Sequence, residues 1–159
     1  ALKEHEGALL RYARRIVGDD GRAMEVVQET FLKLYQEDAS QLNGRLGQWL
    51  YTVCRNQAVD VRRKESRAIT IGDSPAVADD RSDSTLDLEL QDELALVLDA
   101  ISQLPGNQQE CIRLKFQQEL SYKQISTVTG HSATNVGLLI HVGMKSLRQP
   151  LQRREAART

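Results

Sequence analysis

The side chains best suited to bind a nucleic acid lie in one segment of fifteen residues, Trp49 to Arg63. On the 3.6-residue repeat of an α-helix, one face of this segment suits a hydrophobic core, and it is made of Leu46, Leu50, Val53, Gln57 and Val61. A second stripe combines an indole, a hydroxyl, an amide and a guanidinium, on Trp49, Thr52, Asn56 and Arg63. Aromatic rings stack on unpaired bases and cations neutralise phosphates, so this stripe predicts contact with single-stranded nucleic acid. The alternative interpretation is a solvated basic face.

The elements that must position this segment are helical. Helices are expected from Leu2 to Val17, from Arg22 to Gln36 and from Trp49 to the basic run at residues 62–64, with a polar loop between residues 39 and 47. The second helix is expected to pack through Met24, Val27, Phe31 and Leu34. Its opposite face is a mixed acidic and apolar stripe, which includes Glu25, Glu29, Leu32 and Gln36. An exposed leucine among carboxylates suits a basic partner surface, and the alternative is a solvated acidic face.

Residues 67–85 lack helical periodicity. They include Gly72, Pro75 and four aspartates, and they have too little apolar surface to offset the entropy cost of ordering. We predict a flexible acidic linker here, between a helical domain of residues 1–66 and a second one of residues 86–159.

Charge is distributed unevenly along the chain, although its formal net charge is only −1. Residues 1–66 carry 11 basic and 10 acidic side chains, residues 67–104 carry 2 and 9, and residues 105–159 carry 8 and 3. A neutral total therefore does not argue against binding to nucleic acid.

The last third of the chain predicts a helix-turn-helix. Residues 107–110 and residues 121–124 each have the pattern of a capping box, and Gly130 ends the short helix that the second box begins. Ser132 is expected to cap a longer helix, which turns Val136, Ile140, Gly143 and Leu147 inward. A short helix, a glycine-containing turn and a longer capped helix are typical of DNA-binding proteins, and the alternative is a plain helical hairpin.

Composition argues against several other classes. There is no glycine-rich phosphate loop, and the three histidines are too far apart for metal-ligand spacing, so no metal, cofactor or catalytic residue is expected. Cys54 and Cys111 occur in separate expected helices and do not form a disulfide framework, which favours the cytoplasm. No apolar run approaches the length of a membrane span, so membrane insertion is not expected.

Both halves together resemble RNA polymerase sigma factors of the extracytoplasmic-function (ECF) type. The first half is similar to region 2 of that family in residues 26–32, in residues 49–51, at Arg55-Asn56 and in residues 60–63. The second half is similar to region 4 at Leu104-Pro105, in residues 108–114 and 120–122, at Ile125, Gly130, Ser132 and Val136, and at Leu147-Arg148. The resemblance implies a bacterial protein that binds core RNA polymerase, opens and captures the −10 element as a single strand, and binds the −35 element as a duplex.

The resemblance also implies a role for particular residues. Core polymerase would bind the exposed face of the second helix, at Glu25, Gln28, Glu29, Leu32 and Gln36. The −10 strand would contact the loop and the segment after it, at Gln41, Asn43, Arg45, Trp49, Thr52, Arg55, Asn56, Arg62 and Arg63. The −35 duplex would contact the last helix, at Ser132, Thr134, Asn135, Leu138, His141, Lys145 and Arg148.

The sequence departs from the family pattern in two places. The recognition helix usually carries several Lys or Arg residues, but here Gly137, Leu138 and Val142 occupy much of that stretch. Few cations predict weak −35 binding, and the apolar residues suit an anti-sigma factor or a second copy of the chain. At Ala23-Met24-Glu25, a methionine replaces the carboxylate that many relatives carry. Phosphorylation of Thr30 is one hypothesis for restoring that negative charge.

Two alternatives to a sigma factor are retained. The first is a stand-alone helix-turn-helix regulator that uses residues 105–150, and the second is a sigma-like protein that acts through protein partners. A basic, aromatic-bearing segment beside a polar loop favours the sigma factor, because a sensor domain has no need of it.

Overall fold

A computed structural model describes residues 2–68 and 88–158. The chain divides into two compact units, Ala1–Arg81 and Ser82–Thr159. Every regular element in the described ranges is helical, which confirms the predicted all-α class. Of the predicted linker, residues 69–85 lie outside the described residues.

The first unit is a bundle of three helices, each of which packs against the other two. Helix α1 comprises Leu2–Val17, α2 comprises Asp20–Tyr35 and α3 comprises Leu46–Ala68, and a short 3-10 helix, Ala39–Leu42, precedes α3. Helix α3 is longer than predicted, because it begins inside the expected loop and continues two residues into the expected linker.

Local chemistry fixes the turn between α1 and α2. Gly18 adopts a positive φ of 75°, a conformation in which most side chains are strained. The Asp19 carboxylate then caps α2 by accepting a hydrogen bond from the backbone N–H of Arg22 at 2.9 Å. Ion pairs Arg14–Asp20, at 3.0 Å, and Arg22–Glu65 connect the start of α2 to its two neighbours.

The buried face of α3 differs from the predicted face. Its fully buried side chains are Leu50, Tyr51, Cys54 and Ala58. Leu46, Val53, Gln57 and Val61 are only half-buried, so the core face is rotated by roughly a fifth of a turn from the prediction. The cause is Tyr51, whose ring packs edge-on against Tyr12 of α1 with 5.2 Å between the ring centroids.

Two predictions about α2 are wrong. Met24 was expected in the core beside Val27, but it is 53% exposed; Val27 is buried as predicted, together with Ala23 and Val26. Thr30 was considered for phosphorylation, but its side chain is completely buried and its hydroxyl donates a hydrogen bond to the Val26 carbonyl at 2.8 Å. A kinase cannot reach this hydroxyl in the folded chain.

The second unit consists of four helices. Helix α4 comprises Leu88–Ser102, α5 comprises Gly106–Phe116, α6 comprises Tyr122–Thr129 and α7 comprises Ala133–Arg158. Helix α7 packs against the other three. The four inward residues predicted for α7, Val136, Ile140, Gly143 and Leu147, are all buried.

Three of the four predicted helix-end signals in this unit are confirmed. Ser121 and Gln124 form a reciprocal capping box at the start of α6, and Gly130 ends α6 with a φ of 83°. Ser132 caps α7, since its hydroxyl accepts a hydrogen bond from the Asn135 N–H at 3.0 Å. The capping box predicted at residues 107–110 is wrong, because α5 begins after Pro105 with no side-chain cap.

Burial also changes the acidity of one core side chain. Desolvation raises the pKa of the Cys54 thiol to about 12, although a hydrogen bond with Thr30 acts in the opposite direction. The thiol is therefore protonated at neutral pH, and it is a packing group and not a nucleophile.

This pKa predicts a loss of stability in alkali. In the unfolded chain the thiol loses its proton above its ordinary pKa of 9.0, whereas the folded chain keeps the proton up to about pH 12. Stability that is fully present below pH 9 should therefore fall as pH rises, by at most about 1.4 kcal/mol per pH unit from this group. The measurement is denaturant unfolding of the first unit between about pH 8 and pH 10. Cys54→Ala should be less stable throughout but should have a shallower dependence on pH, and equal slopes would contradict the assignment.

Alanine substitutions at two glycines of α7 should change the stability of the second unit in opposite directions. A Cβ at position 143 would lie 2.5 Å from Cδ1 of Ile112, which is itself buried in α5, so Gly143→Ala should overpack the unit by about 1–3 kcal/mol. A Cβ at position 137 would meet Tyr122 only at ordinary contact, 3.5 Å, so Gly137→Ala should stabilise the helix by up to about 1 kcal/mol. Thermal unfolding of both variants checks the pair, and the same sign for both would refute this account of the packing.

Candidate nucleic-acid interface

An open cleft of about 710 Å³ lies between the C-terminal end of α2 and one side of α3. The rotation of the α3 core face creates this cleft, because it leaves Val53 and Gln57 half-exposed beside Trp49. The opposite wall consists of Lys33 of α2 and of Gln36 and Glu37, which directly follow that helix. The wall from α3 consists of Trp49, Val53, Arg55, Asn56, Gln57, Val59, Asp60 and Arg63.

The lining of the cleft suits a nucleotide. An indole and the Val53 side chain offer apolar surface, and the amides of Gln36, Asn56 and Gln57 can both donate and accept hydrogen bonds. Lys33, Arg55 and Arg63 are cations that attract phosphate. One of the two carboxylates, that of Asp60, forms an ion pair with Lys64 at 3.3 Å. The volume is in the range of pockets that hold small ligands.

The predicted −10 residues of α3 divide into two groups. Trp49, Arg55, Asn56 and Arg63 line the cleft, but Thr52 and Arg62 do not. The Thr52 hydroxyl donates a hydrogen bond to the Gln48 carbonyl at 2.7 Å, so its proton is already used within α3. Arg62 is exposed on another side of the helix.

The predicted loop residues form a separate exposed group. Gln41, Asn43 and Arg45 are all exposed, and none of them lines the cleft. The Asp38 carboxylate orders the start of this loop by accepting a hydrogen bond from the Ser40 N–H at 3.1 Å, and Arg45 donates one to the Gln41 carbonyl at 3.2 Å.

The predicted polymerase-binding residues lie on one exposed face of α2. Glu25, Gln28, Glu29, Leu32 and Gln36 are all exposed. Two further apolar side chains belong to the same face, Met24 and Tyr35, which is 81% exposed. Leu32 itself is 57% exposed, so the face combines an apolar stripe with a carboxylate edge.

The predicted −35 residues lie along the outer side of α7. Thr134, Leu138, His141, Lys145 and Arg148 are exposed. The Ser132 hydroxyl is used as the helix cap, so it is a structural group in this chain.

A hydrogen-bond network in the turn before α7 holds Asn135. The Ser126 hydroxyl donates to the His131 carbonyl at 2.6 Å, and the His131 N–H donates to the Thr129 hydroxyl at 3.3 Å. The Asn135 amide nitrogen then lies 3.3 Å from Nδ1 of the same histidine ring. Asn135 is therefore an oriented amide at the N-terminal end of the helix, where side chains of a helix-turn-helix reach base edges.

Two residues near this surface were not predicted from the sequence. Tyr122 is the first residue of α6 and lies against Gly137 of α7, while the Lys115 ammonium lies 5.1 Å from the centre of the Tyr122 ring. The capping box at Ser121 placed Tyr122 at a helix start, but the contact with α7 depends on the packing of three helices.

Residues 2–68 and 88–158 contain neither a metal-binding cluster nor a helix suited to cross a membrane. Within these ranges no group of three or more His, Cys, Asp or Glu side chains could hold a metal ion. No helix in the same ranges is long and apolar enough to cross a membrane.

Both units match families of known proteins. Residues 1–68 match the family Sigma-70 region 2, and residues 94–147 match the family Sigma-70 region 4. The ECF RNA polymerase sigma factor SigL of Mycobacterium tuberculosis is 30% identical over 151 residues, which cover 94% of this chain and 85% of SigL. The ECF RNA polymerase sigma factor SigM of Bacillus subtilis is 29% identical over 126 residues, which cover 79% of this chain and 77% of SigM.

A solved structure has the same fold. It is the sigma factor RpoE from Bartonella quintana, in complex with the anti-sigma factor NepR. The TM-score is 0.68 at 21% sequence identity, and the alignment covers 92% of this chain and 91% of the solved one. Since one relative matches at 30% identity over nearly the whole chain and both units match sigma-70 regions, the chain belongs to the ECF RNA polymerase sigma factors.

Proposed function

We propose that the chain performs this family role through three surfaces: the outer face of α2 binds core RNA polymerase, the cleft beside α3 captures the unpaired −10 strand, and the outer side of α7 binds the −35 duplex. We also propose that it works in the bacterial cytoplasm and carries out no covalent reaction of its own. The two units would take the two promoter elements separately, with residues 67–85 as the connection.

The observation that carries this proposal is the arrangement of α3. Its buried face fixes the helix in the bundle, and Trp49, Asn56 and Arg63 then fall along one wall of an open cleft. Taking a base out of the duplex costs a few kcal/mol, and stacking on an aromatic ring contributes roughly 1–3 kcal/mol per base. An indole, amides and cations in one cleft offset that cost.

The face of α2 suits a partner with an apolar centre and a basic edge. Met24, Leu32 and Tyr35 would supply the apolar contact, while Glu25 and Glu29 would attract cations at its edge. Met24 replaces a carboxylate with apolar area, so this docking should depend less on charge than it does in relatives that keep the acid.

Asn135 is the best candidate for a base-specific contact. An amide can bond both edge groups of an adenine in the major groove, and such a pair discriminates by about 1–3 kcal/mol. Its contact with the His131 ring leaves the amide oxygen and one N–H for a base.

A protein partner at α7 is the second candidate function. Leu138 is 57% exposed and Val142 is 40% exposed, in a stretch where cations would favour DNA. An anti-sigma factor or another regulator would cover this apolar surface. Holoenzyme that binds promoters without any dependence on the −35 sequence would favour this candidate over DNA binding.

Substitutions in the first unit should separate polymerase binding from strand opening. Glu29→Lys should weaken binding to core polymerase by about tenfold, because it puts a cation opposite a basic edge. Arg63→Ala should reduce open-complex formation by about fivefold, because it removes a cation that lines the cleft and can contact a phosphate of the single strand. Arg62→Ala should have a smaller effect, because Arg62 lies outside the cleft. Binding is measured by anisotropy of labelled protein with core polymerase, and opening by permanganate reactivity of promoter thymines.

Arg11→Ala is the matched control, since it removes an exposed cation of α1 in the same unit. It should leave both measurements within about twofold of wild type. If the arginine and glutamate substitutions changed the same step, or changed neither, the assignment of two surfaces would be wrong.

Asn135→Ala should relax sequence preference at one base pair of the −35 element, by about 1–3 kcal/mol. Promoters are first found by run-off transcription of genomic DNA with core polymerase, and preference is then measured on promoters with single base changes. Lys145→Gln is the control, because loss of a phosphate contact should weaken all these promoters about equally. An unchanged preference profile for Asn135→Ala would exclude base recognition by this residue.

A further inference from the structure

Gly137 is the position where α7 accepts a side chain from another helix. A Cβ at this glycine would lie 3.5 Å from Cε2 and 3.7 Å from Cδ2 of Tyr122, so the phenol ring rests against the backbone of α7. The capping box of Ser121 and Gln124 fixes the start of α6 and thereby the position of this ring. The ring is 43% exposed, so it also forms part of the surface.

The same ring holds a cation from a third helix. The Lys115 ammonium at the end of α5 lies 5.1 Å from the ring centre, within the range of a cation–π interaction. Lys115 is half-buried, in contrast to the exposed Lys145 on α7. Its charge is therefore held at a defined place on the Tyr122 ring, and the edge of that ring lies against Gly137.

This place adjoins the part of the −35 surface that lacks positive charge. Thr134, Leu138 and His141 surround Gly137 on the helix, and the exposed cations of α7 with described side chains, Lys145 and Arg148, come later. DNA affinity depends chiefly on phosphate contacts, so a cation beside this gap would replace one that α7 itself does not carry.

We propose that Lys115 binds a phosphate of the −35 duplex and that Tyr122, seated on Gly137, is the residue that positions it. The DNA-binding surface then consists of three helices, with sequence-specific contacts from α7 and a backbone contact from α5. This inference rests on the proposed −35 function of the second unit.

The test is the salt dependence of holoenzyme binding to a duplex that carries the −35 element and ends upstream of −10. Lys115→Gln should make the slope of log K against log salt shallower by about 1, and should weaken binding about eightfold at about 0.1 M salt. Tyr122→Ala and Tyr122→Leu should have the same effect, since both remove the ring face. Lys115→Arg and Tyr122→Phe should behave as wild type, since they keep the charge and the ring.

Thermal unfolding of each variant separates a lost contact from a lost fold. Tyr122→Leu keeps an apolar side chain against Gly137, so its unfolding temperature should stay near that of wild type while its salt slope changes. A wild-type slope for Lys115→Gln would overturn the phosphate contact. A wild-type slope for both Tyr122→Ala and Tyr122→Leu would overturn the positioning role.

The −35 function of the second unit and the roles of Lys115 and Tyr122 can be refuted separately. If the wild-type holoenzyme bound the −35 duplex no better than a scrambled duplex, the proposed −35 function itself would be wrong. If wild type preferred the −35 duplex but all Lys115 and Tyr122 variants kept its salt slope, only the inference about these two residues would be wrong.

Discussion

Burial of one face of α3 against α1 and α2 is the constraint on which the surfaces of the first unit depend. Leu50, Cys54 and Ala58 are completely buried, so the rotation of the helix about its axis is fixed. A helix is rigid over this length, and Trp49 and Arg63 therefore cannot turn into the core. The cleft results from this packing, and its α3 wall consists of side chains that lie outside the buried face of the helix.

The second unit depends on one small residue in a similar way. Gly143 lets α5 approach α7 closely, because a Cβ there would lie 2.5 Å from Cδ1 of Ile112, whereas a Cβ at position 137 would meet the Tyr122 ring at ordinary contact distance. In our proposal, Lys115 of α5 supplies a cation near the first part of α7, since residues 133–144 contain no Lys or Arg.

Helix ends were largely predictable because their chemistry is local. Ser121, Gly130 and Ser132 were identified from the sequence, and each has the predicted role. The prediction at residues 107–110 failed because the Asn107 side chain bonds the next residue, Gln108, and does not cap the helix. Helix faces were less predictable, and Met24 is the example. Met24 lies one position from the edge of the buried face, where an apolar residue can be either buried or exposed, and the packing of the neighbouring helices decides which.

The sequence by itself determined the helical class, from periodicity and capping motifs, and the residue types available for DNA and polymerase, from composition. The region 2 and region 4 motifs, in this order, gave the resemblance to the family. Only the tertiary structure decided which of these residues meet. Trp49 and Arg63 share a cleft with the end of α2, Thr30 is buried in the core, and the Tyr122 ring of α6 lies against Gly137 of α7 and near the Lys115 ammonium of α5. The physical reason is that such contacts join residues far apart in the chain, so they depend on the angle and rotation at which the helices pack, which no local pattern encodes.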